Sequence, residues 1–421
     1  MRNADCEKKS AIAFLWDESF LWGLMACKAL KSAGLPFELV RAEDVKKGCL
    51  DRHAALFVPG GWASNKMKAL GEDGAAAIRH FVENGGAYIG LCGGAGLATL
   101  DGIGLVPVKR RPTKDRVPSF SGRIRLTTSD HPLWRDIEDP VFHAWWPSQF
   151  VVDGPVRVLA SYAEALPDSF SSDVNVGDAS EVGKWQELEE LYGINLDPKR
   201  LINEPAVLEG RFGKGRVILS LVHFDTPEDR NGALVLKNIW KSIGCAHQEI
   251  DHIVPAGETP QQNHEATDPR LRELADAVNG LIDLGYRNFL WFRRGPMLLQ
   301  WRRGVRGLEY CTLSVLIKEI VFLFKGLQVG SSTSGLDQGI ERIRHQLLPF
   351  VKKASRLLVL ERIALQNGHI TYEQCDDPVI KAMRDELFSR AKSHGGLFKE
   401  LLDDVDRALY VVMTEHAGAT G

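Results

Sequence analysis

The stretch Gly85-Gly86-Ala87-Tyr88-Ile89-Gly90-Leu91-Cys92-Gly93-Gly94-Ala95-Gly96 sets one cysteine at the end of a short apolar strand, among glycines that open a small-residue helix. A strand-to-helix turn this sharp imposes strained backbone angles on its central residue. Glycine neighbours leave room for that side chain to stand exposed, the arrangement of a nucleophile elbow. The free N–H groups at the start of a helix favour a thiolate. Cys92 is therefore the first candidate catalytic residue. Taken alone, G-x-C-x-G also fits a turn carrying a buried, inert thiol.

Two further segments bear on that choice. Gly210-Arg211-Phe212-Gly213-Lys214-Gly215-Arg216 reads as a hairpin turn, and the β-branched and aliphatic run Val217 to Val222 that follows reads as a buried strand. His223 and Asp225 stand at its carboxyl end. Open α/β sheets bind ligands at the carboxyl ends of their strands, so two such ends can bring a thiol and an imidazole together. A thiol nucleophile needs a base, and the base needs a carboxylate to fix its tautomer. The third segment, Ala54-Ala55-Leu56-Phe57-Val58-Pro59-Gly60-Gly61-Trp62, is a strand ending in Pro-Gly-Gly. An N–H of Gly60 or Gly61, with that of Gly93, offers an oxyanion site. An ordinary strand-ending turn has the same composition.

Together these pieces resemble the class I glutamine amidotransferase-like superfamily over residues about 10–250, and within it the N-terminal domain of biotin-protein ligases. The resemblance rests on Phe57-Val58-Pro59-Gly60-Gly61, on the run from Ile78 to Cys92, and on Gly213-Lys214-Gly215-Arg216 leading to His223. It implies a flavodoxin-like parallel sheet, with Cys92, His223 and an acidic partner as a triad and Gly60 or Gly61 with Gly93 as oxyanion donors. Two departures bear on mechanism. Glutaminases of the superfamily carry glutamine where this chain has Gly96, so glutamine hydrolysis is not expected. Their histidine is followed two residues later by Glu, where this chain has Asp225; Glu228 and Asp229 are alternative acidic partners. No adenylate loop or ligase domain follows, so biotin transfer is not implied.

With 421 residues, 44% hydrophobic and 25% charged, the chain suits two globular domains. A net charge of −3 argues against a general nucleic-acid binder. Basic residues cluster locally at Lys109-Arg110-Arg111, Lys114 and Arg116, where they could draw an anionic substrate to the cleft or line a solvated loop. Seven scattered cysteines without a C-x-x-C pair give no disulfide framework and no zinc ribbon, and no metal or cofactor is expected. The polar stretch Met1 to Ser10 lacks an apolar signal core, which points to the cytoplasm. Thr312 to Leu327, the most hydrophobic stretch, is interrupted by Lys318, Glu319 and Lys325, so no transmembrane segment is expected.

The expected order is an amidotransferase-like domain at 8–250, a linker at 251–270 and an α-helical domain at 271–416. Strand and helix signals alternate up to Ala98, giving a parallel sheet covered on both faces. Ser121 to Thr127 and Val156 to Ser161 then read as antiparallel strands of a β-rich extension, and Glu181 to Leu191 as a helix in an acidic excursion. Between them, Val141-Phe142-His143-Ala144-Trp145-Trp146 places His143, Trp145 and Trp146, with Trp62, as candidates for the cleft wall; core packing explains the same aromatics. Asp17, Glu18 and Ser19 close the first strand and reach the same cleft by topology. Past Pro269 the periodicity is helical, and Val351, Leu357, Leu358, Leu360 and Ile363 read as one buried stripe. Trp291-Phe292-Arg293-Arg294 and Trp301-Arg302-Arg303 pair aromatics with arginines that could bind phosphate or an acidic partner. Two functions follow: a cysteine-dependent hydrolase of a small-molecule amide or related carbonyl, or a non-catalytic metabolite-binding module whose helical domain docks a protein partner.

Overall fold

The computed structural model describes residues 11–245, 268–324, 334–368, 370–371, 375–390 and 392–419. The chain divides into two compact units, Met1–Gly257 and Glu258–Gly421. Most of the expected linker, 251–267, lies outside the described residues.

The first unit opens with alternating strands and helices: β1 (Ala11–Leu15), α1 (Phe20–Ser32), β2 (Glu38–Val40), α2 (Ala42–Lys46), β3 (His53–Val58), α3 (Ala63–Glu83), β4 (Ala87–Leu91) and α4 (Gly93–Leu97). The chain then runs through β5 (Val108–Arg110), β6 (Phe120–Thr128), β7 (Val141–Trp145), β8 (Phe150–Val152), β9 (Arg157–Ala165), β10 (Phe170–Ser171) and β11 (Val174–Asn175). Helices α5 (Val176–Val182) and α6 (Trp185–Tyr192) follow, then the hairpin β12 (Pro205–Phe212) and β13 (Gly215–Ser220), and α7 (Arg230–Ile243). The acidic excursion therefore holds two short helices, separated at Gly183, instead of one.

Five strands in the order β2-β1-β3-β4-β13 pair in parallel. Every residue of β4 is buried, as both faces of a parallel sheet require. Beyond β13 the pairing turns antiparallel through β12, β9, β6, β10 and β11, with β7 on β6, which is the β-rich extension. The unit is thus a flavodoxin-like α/β fold with an antiparallel wing. Strand order decides what meets at the sheet's carboxyl edge. β13 comes far later in the chain than β4 yet lies beside it, with Ser220 opposite Leu91, and β3 flanks the other side with Val58 opposite Gly90.

The second unit is helical: α8 (Pro269–Arg287), α9 (Gly307–Phe324), α10 (Ser334–Asn367), α11 (Pro378–Phe388) and α12 (Gly396–Ala419). Asp268 caps α8 by accepting the Arg270 N–H at 2.8 Å. Helical periodicity did not signal the hairpin β14 (Trp291–Arg293) and β15 (Leu299–Trp301), in which Trp291 and Trp301 pair directly across the strands. These aromatics are hairpin and core residues, with Trp291 packed on Tyr310 at 5.6 Å between ring centroids. No helix among the described residues is long and apolar enough to cross a membrane.

The stripe on α10 differs from the expected one. Leu357 and Leu358 are fully buried, but Ile363 is 55% exposed, and the buried position on that turn is Glu361. Its carboxylate accepts the Arg384 Nε at 2.7 Å, and Arg384 also donates to the carbonyls of Thr371 and Gly304 at 2.6 Å. A charge this deep is tolerated only with its partner, and removing one side strands the other. Glu361→Ala or Arg384→Ala should therefore lower the unfolding free energy by about 3–5 kcal/mol, read as a fall in the urea midpoint. A loss no larger than that of an exposed pair such as Lys353–Glu386 would contradict this.

Candidate functional site

Cys92 is the hinge between β4 and α4. It holds φ 49° and ψ −104°, a left-handed backbone that a residue with a Cβ adopts only at a cost. Its N–H donates to the Ser220 carbonyl at 2.7 Å, extending the β4–β13 ladder by one residue. The next residue must be glycine, because a Cβ on Gly93 would lie 1.8 Å from the Gly61 carbonyl oxygen. Gly61 is itself at φ 117°, where a Cβ would meet the Glu18 carbonyl oxygen at 2.3 Å. The turn after β3 and the turn after β4 are thus in backbone contact, and the Cys92 thiol, half-buried, stands beside them. The thiol reaches the Trp145 carbonyl by a long hydrogen bond of 4.0 Å.

His223 follows β13 and is buried, as is Asp225. Its Nδ1 lies 2.9 Å from Asp225 Oδ1. Asp225 is therefore the carboxylate on this ring; Glu228 is exposed, and Asp229 serves a different histidine. Burial alone would lower the basicity of His223. The charges of Asp225 and Cys92, and the hydrogen bond between the ring and Asp225, outweigh it and raise the imidazole to about 10. Nε2, the nitrogen not engaged by Asp225, is buried and without a hydrogen-bonded partner. A thiol, an imidazole with one nitrogen available, and a carboxylate behind it can together move a proton and form a covalent bond.

The aromatic segment lies over this edge through β7. The His223 N–H donates to the His143 carbonyl at 2.7 Å, an isolated bridge between the two segments. His143 Nδ1 sits 2.9 Å from Asp229 Oδ2, and the His143 ring stacks on Trp145 at 5.2 Å. The Trp145 indole N–H donates to Thr226 Oγ1 at 3.1 Å, and Thr226 in turn donates to the His223 carbonyl. His143 and Trp145 thereby fix the backbone around His223. Trp146, at φ 48°, contacts Trp22 at 6.0 Å. Trp62 stands apart: it starts α3, is 40% exposed, and its indole makes no hydrogen bond or ring contact among the described residues. Asp17 turns to α2, accepting the Ala42 N–H at 2.7 Å, while Glu18 supplies the carbonyl against Gly61.

Sequence reasoning missed Trp22. Its ring lies 5.1 Å from the His223 imidazole, and a Cβ on Gly60 would touch both Trp22 and His223 Cε1 at 3.0 Å. Nothing in the local pattern of α1 separates this tryptophan from a core residue. It also missed the place of Arg110, whose Cδ lies 3.2 Å from where a Cβ of Gly96 would stand. Among the described residues no group of three or more His, Cys, Asp or Glu is placed to hold a metal ion.

The fold and site together define an α/β unit with a cysteine, a histidine and a carboxylate at the carboxyl edge of its parallel sheet. Residues 38–101, from β2 past Cys92, match the family described as biotin-protein ligase, N terminal. No curated protein matches the chain. Similar solved structures include PurLQS from Thermotoga maritima, with 16% identity and TM-score 0.40 over 56% of this chain and 99% of that one. A protein from Thermoplasma acidophilum described as a putative GMP synthase component has 11% identity and TM-score 0.35 over 56% and 94%. A putative ThuA-like protein from Bacteroides uniformis has 12% identity and TM-score 0.37 over 59% and 96%.

Two outcomes follow from the geometry. With Asp225→Asn the charge that holds the imidazolium is lost while burial remains, so the His223 titration should fall from about 10 toward or below the ordinary value of 6.5. Histidine NMR signals followed against pH would read the shift, and an unchanged titration would contradict the assignment. Cys92→Gly should relieve backbone strain of about 1–3 kcal/mol, against a smaller entropic cost of about 0.5–1 kcal/mol. Its melting temperature should stay level or rise, whereas Cys27→Gly, within α1, should lower it.

Proposed function

We propose that the first unit is a cysteine-dependent hydrolase acting on an amide or related carbonyl, with Cys92 as nucleophile, His223 as acid and base, and Asp225 as its orienting carboxylate. The observation that carries this reading is the His223–Asp225 pair held at the strand end beside a cysteine whose backbone is strained at φ 49°. Strain of this kind is retained where it holds a side chain in position for chemistry. In the reaction, the Cys92 sulfur, its proton carried by His223 Nε2, attacks the carbonyl carbon, forming the C–S bond. The oxyanion is met by the N–H of Gly93 with that of Gly60 or Gly61. As the C–N bond breaks, the imidazolium returns its proton to the departing amine. Water, deprotonated by His223, then cleaves the thioester to release the acid and restore the thiol.

Gly96 supports a substrate other than glutamine, since it has no side chain to hold the amino acid and Arg110 lies over it. That same loss favours a second reading, a cleft that binds a metabolite without turning it over. The two separate on the reactivity of the thiol. Near neutral pH, iodoacetamide should alkylate Cys92 faster than Cys49 or Cys375, which are likewise half-buried. His223→Ala should lower the Cys92 rate on the order of ten-fold or more. Equal rates at the three cysteines in the folded protein would sink the hydrolase and leave the binding module.

A further inference from the structure

The basic run after α4 is not uniform. Lys109 is exposed and pairs with Asp153 at 2.6 Å, and Arg111 makes a two-pronged pair with Glu204 at 2.9 and 2.8 Å. Arg110 and Arg116 lack such a close carboxylate pair, although the Arg111 Nε is, like theirs, buried without a hydrogen bond. The Arg110 backbone N–H bonds Asp101 Oδ2 at 3.1 Å, and its guanidinium Nε makes a loose ion pair with the same oxygen at 3.8 Å, leaving that buried nitrogen without a hydrogen bond. Arg116 has no carboxylate partner among the described residues, and its Nε is likewise buried and unsatisfied. The Arg110 Cδ and Nη1 lie 3.2 and 3.4 Å from the position a Cβ on Gly96 would take, one turn along α4 from Cys92.

Resting on the hydrolase reading, we infer that Arg110 and Arg116 form a subsite for an anionic group of the substrate, so that the amide cleaved at Cys92 also carries a carboxylate or phosphate.

Two like-charged guanidinium groups, half withdrawn from water with bonding atoms left unpaired, are stabilised by an oxyanion that accepts from both. Their coupling to the site is electrostatic as well as spatial. Burial and then the charge of Arg110 both act against the charged form of Arg116, while the charge of Cys92 favours it. A third unpaired donor stands nearby: the Tyr162 hydroxyl is fully buried, has no partner, and is near enough for the charge of Cys92 to oppose its ionisation. Gly96 completes the picture, because a longer side chain there would occupy the space Arg110 uses.

The test compares two alkylating reagents of similar size on the full chain, anionic iodoacetate and neutral iodoacetamide, read at the Cys92 peptide by mass spectrometry. The iodoacetate-to-iodoacetamide rate ratio at Cys92 should exceed that of a small free thiol by on the order of ten-fold. Arg110→Gln with Arg116→Gln should bring the ratio back to the free-thiol value, and Lys109→Gln should leave it high. At constant ionic strength succinate should protect Cys92 where succinamide does not, and this comparison needs no variant. Protection by inorganic phosphate, succinate or both tells which anion the subsite prefers. A ratio equal to the free thiol, or one that survives the double substitution, overturns the subsite. If neither reagent labels Cys92, the hydrolase reading fails by itself. The subsite is then judged by thermal melting, where succinate but not succinamide should raise the melting temperature of the native chain. No difference between the two ligands overturns it.

Discussion

The parallel pairing of β13 with β4 is the constraint on which the site depends. It joins the cysteine segment to the histidine segment, which are remote in sequence, and it is pinned at both ends. At the start, the Lys214 N–H in the hairpin donates to the Glu83 carbonyl at 2.9 Å, tying the β12–β13 turn to the end of α3. At the finish, the Cys92 N–H reaches the Ser220 carbonyl. A slip of one residue would reverse which side chains of β13 face each layer and move His223 off the edge.

The same arrangement explains why two histidines so near each other do not share a role. His143 and His223 are bridged through their backbones, yet each has its own carboxylate. Asp229 is committed twice, to His143 and, as the cap of α7, to the Gly232 N–H at 2.9 Å. Asp225 has no such duty. One oxygen serves His223 and the other is buried without a partner, so its charge acts chiefly on that ring. A cap anchors one pair to a helix, and burial concentrates the other on the strand end.

How much of this was legible follows from where each determinant resides. The strand ending in Cys92, the Pro59-Gly60-Gly61 turn and the strand ending before His223 are coded by neighbouring residues, through glycine spacing and apolar runs, so the sequence reveals them. Asp225 as the carboxylate, over Glu228 and Asp229, was open because all three lie within reach by count; chain direction after β13 decides among them. Trp22 was invisible because its contact with His223 depends on α1 crossing the end of β3. The β14–β15 hairpin was hidden for another reason: its strands are three residues each, too short for a period of two to register. On α10 the expected stripe chose Ile363 by hydrophobicity, whereas the buried Glu361 is determined by Arg384 on another helix.

The basic run shows the limit of composition most clearly. Five positive residues in a short loop read as one patch, but partner chemistry divides them. Lys109 and Arg111 are neutralised by Asp153 and Glu204, which lie on distant parts of the chain. All three arginines keep a buried Nε without a hydrogen bond, but Arg110 has only a loose ion pair to Asp101 and Arg116 has no carboxylate partner among the described residues. Glycine at position 96 and arginine above it are then one feature: the small residue leaves space, and the large one brings positive charge into it. On the proposed reading, a guanidinium in the space beside Gly96 suits a substrate held by its negative charge.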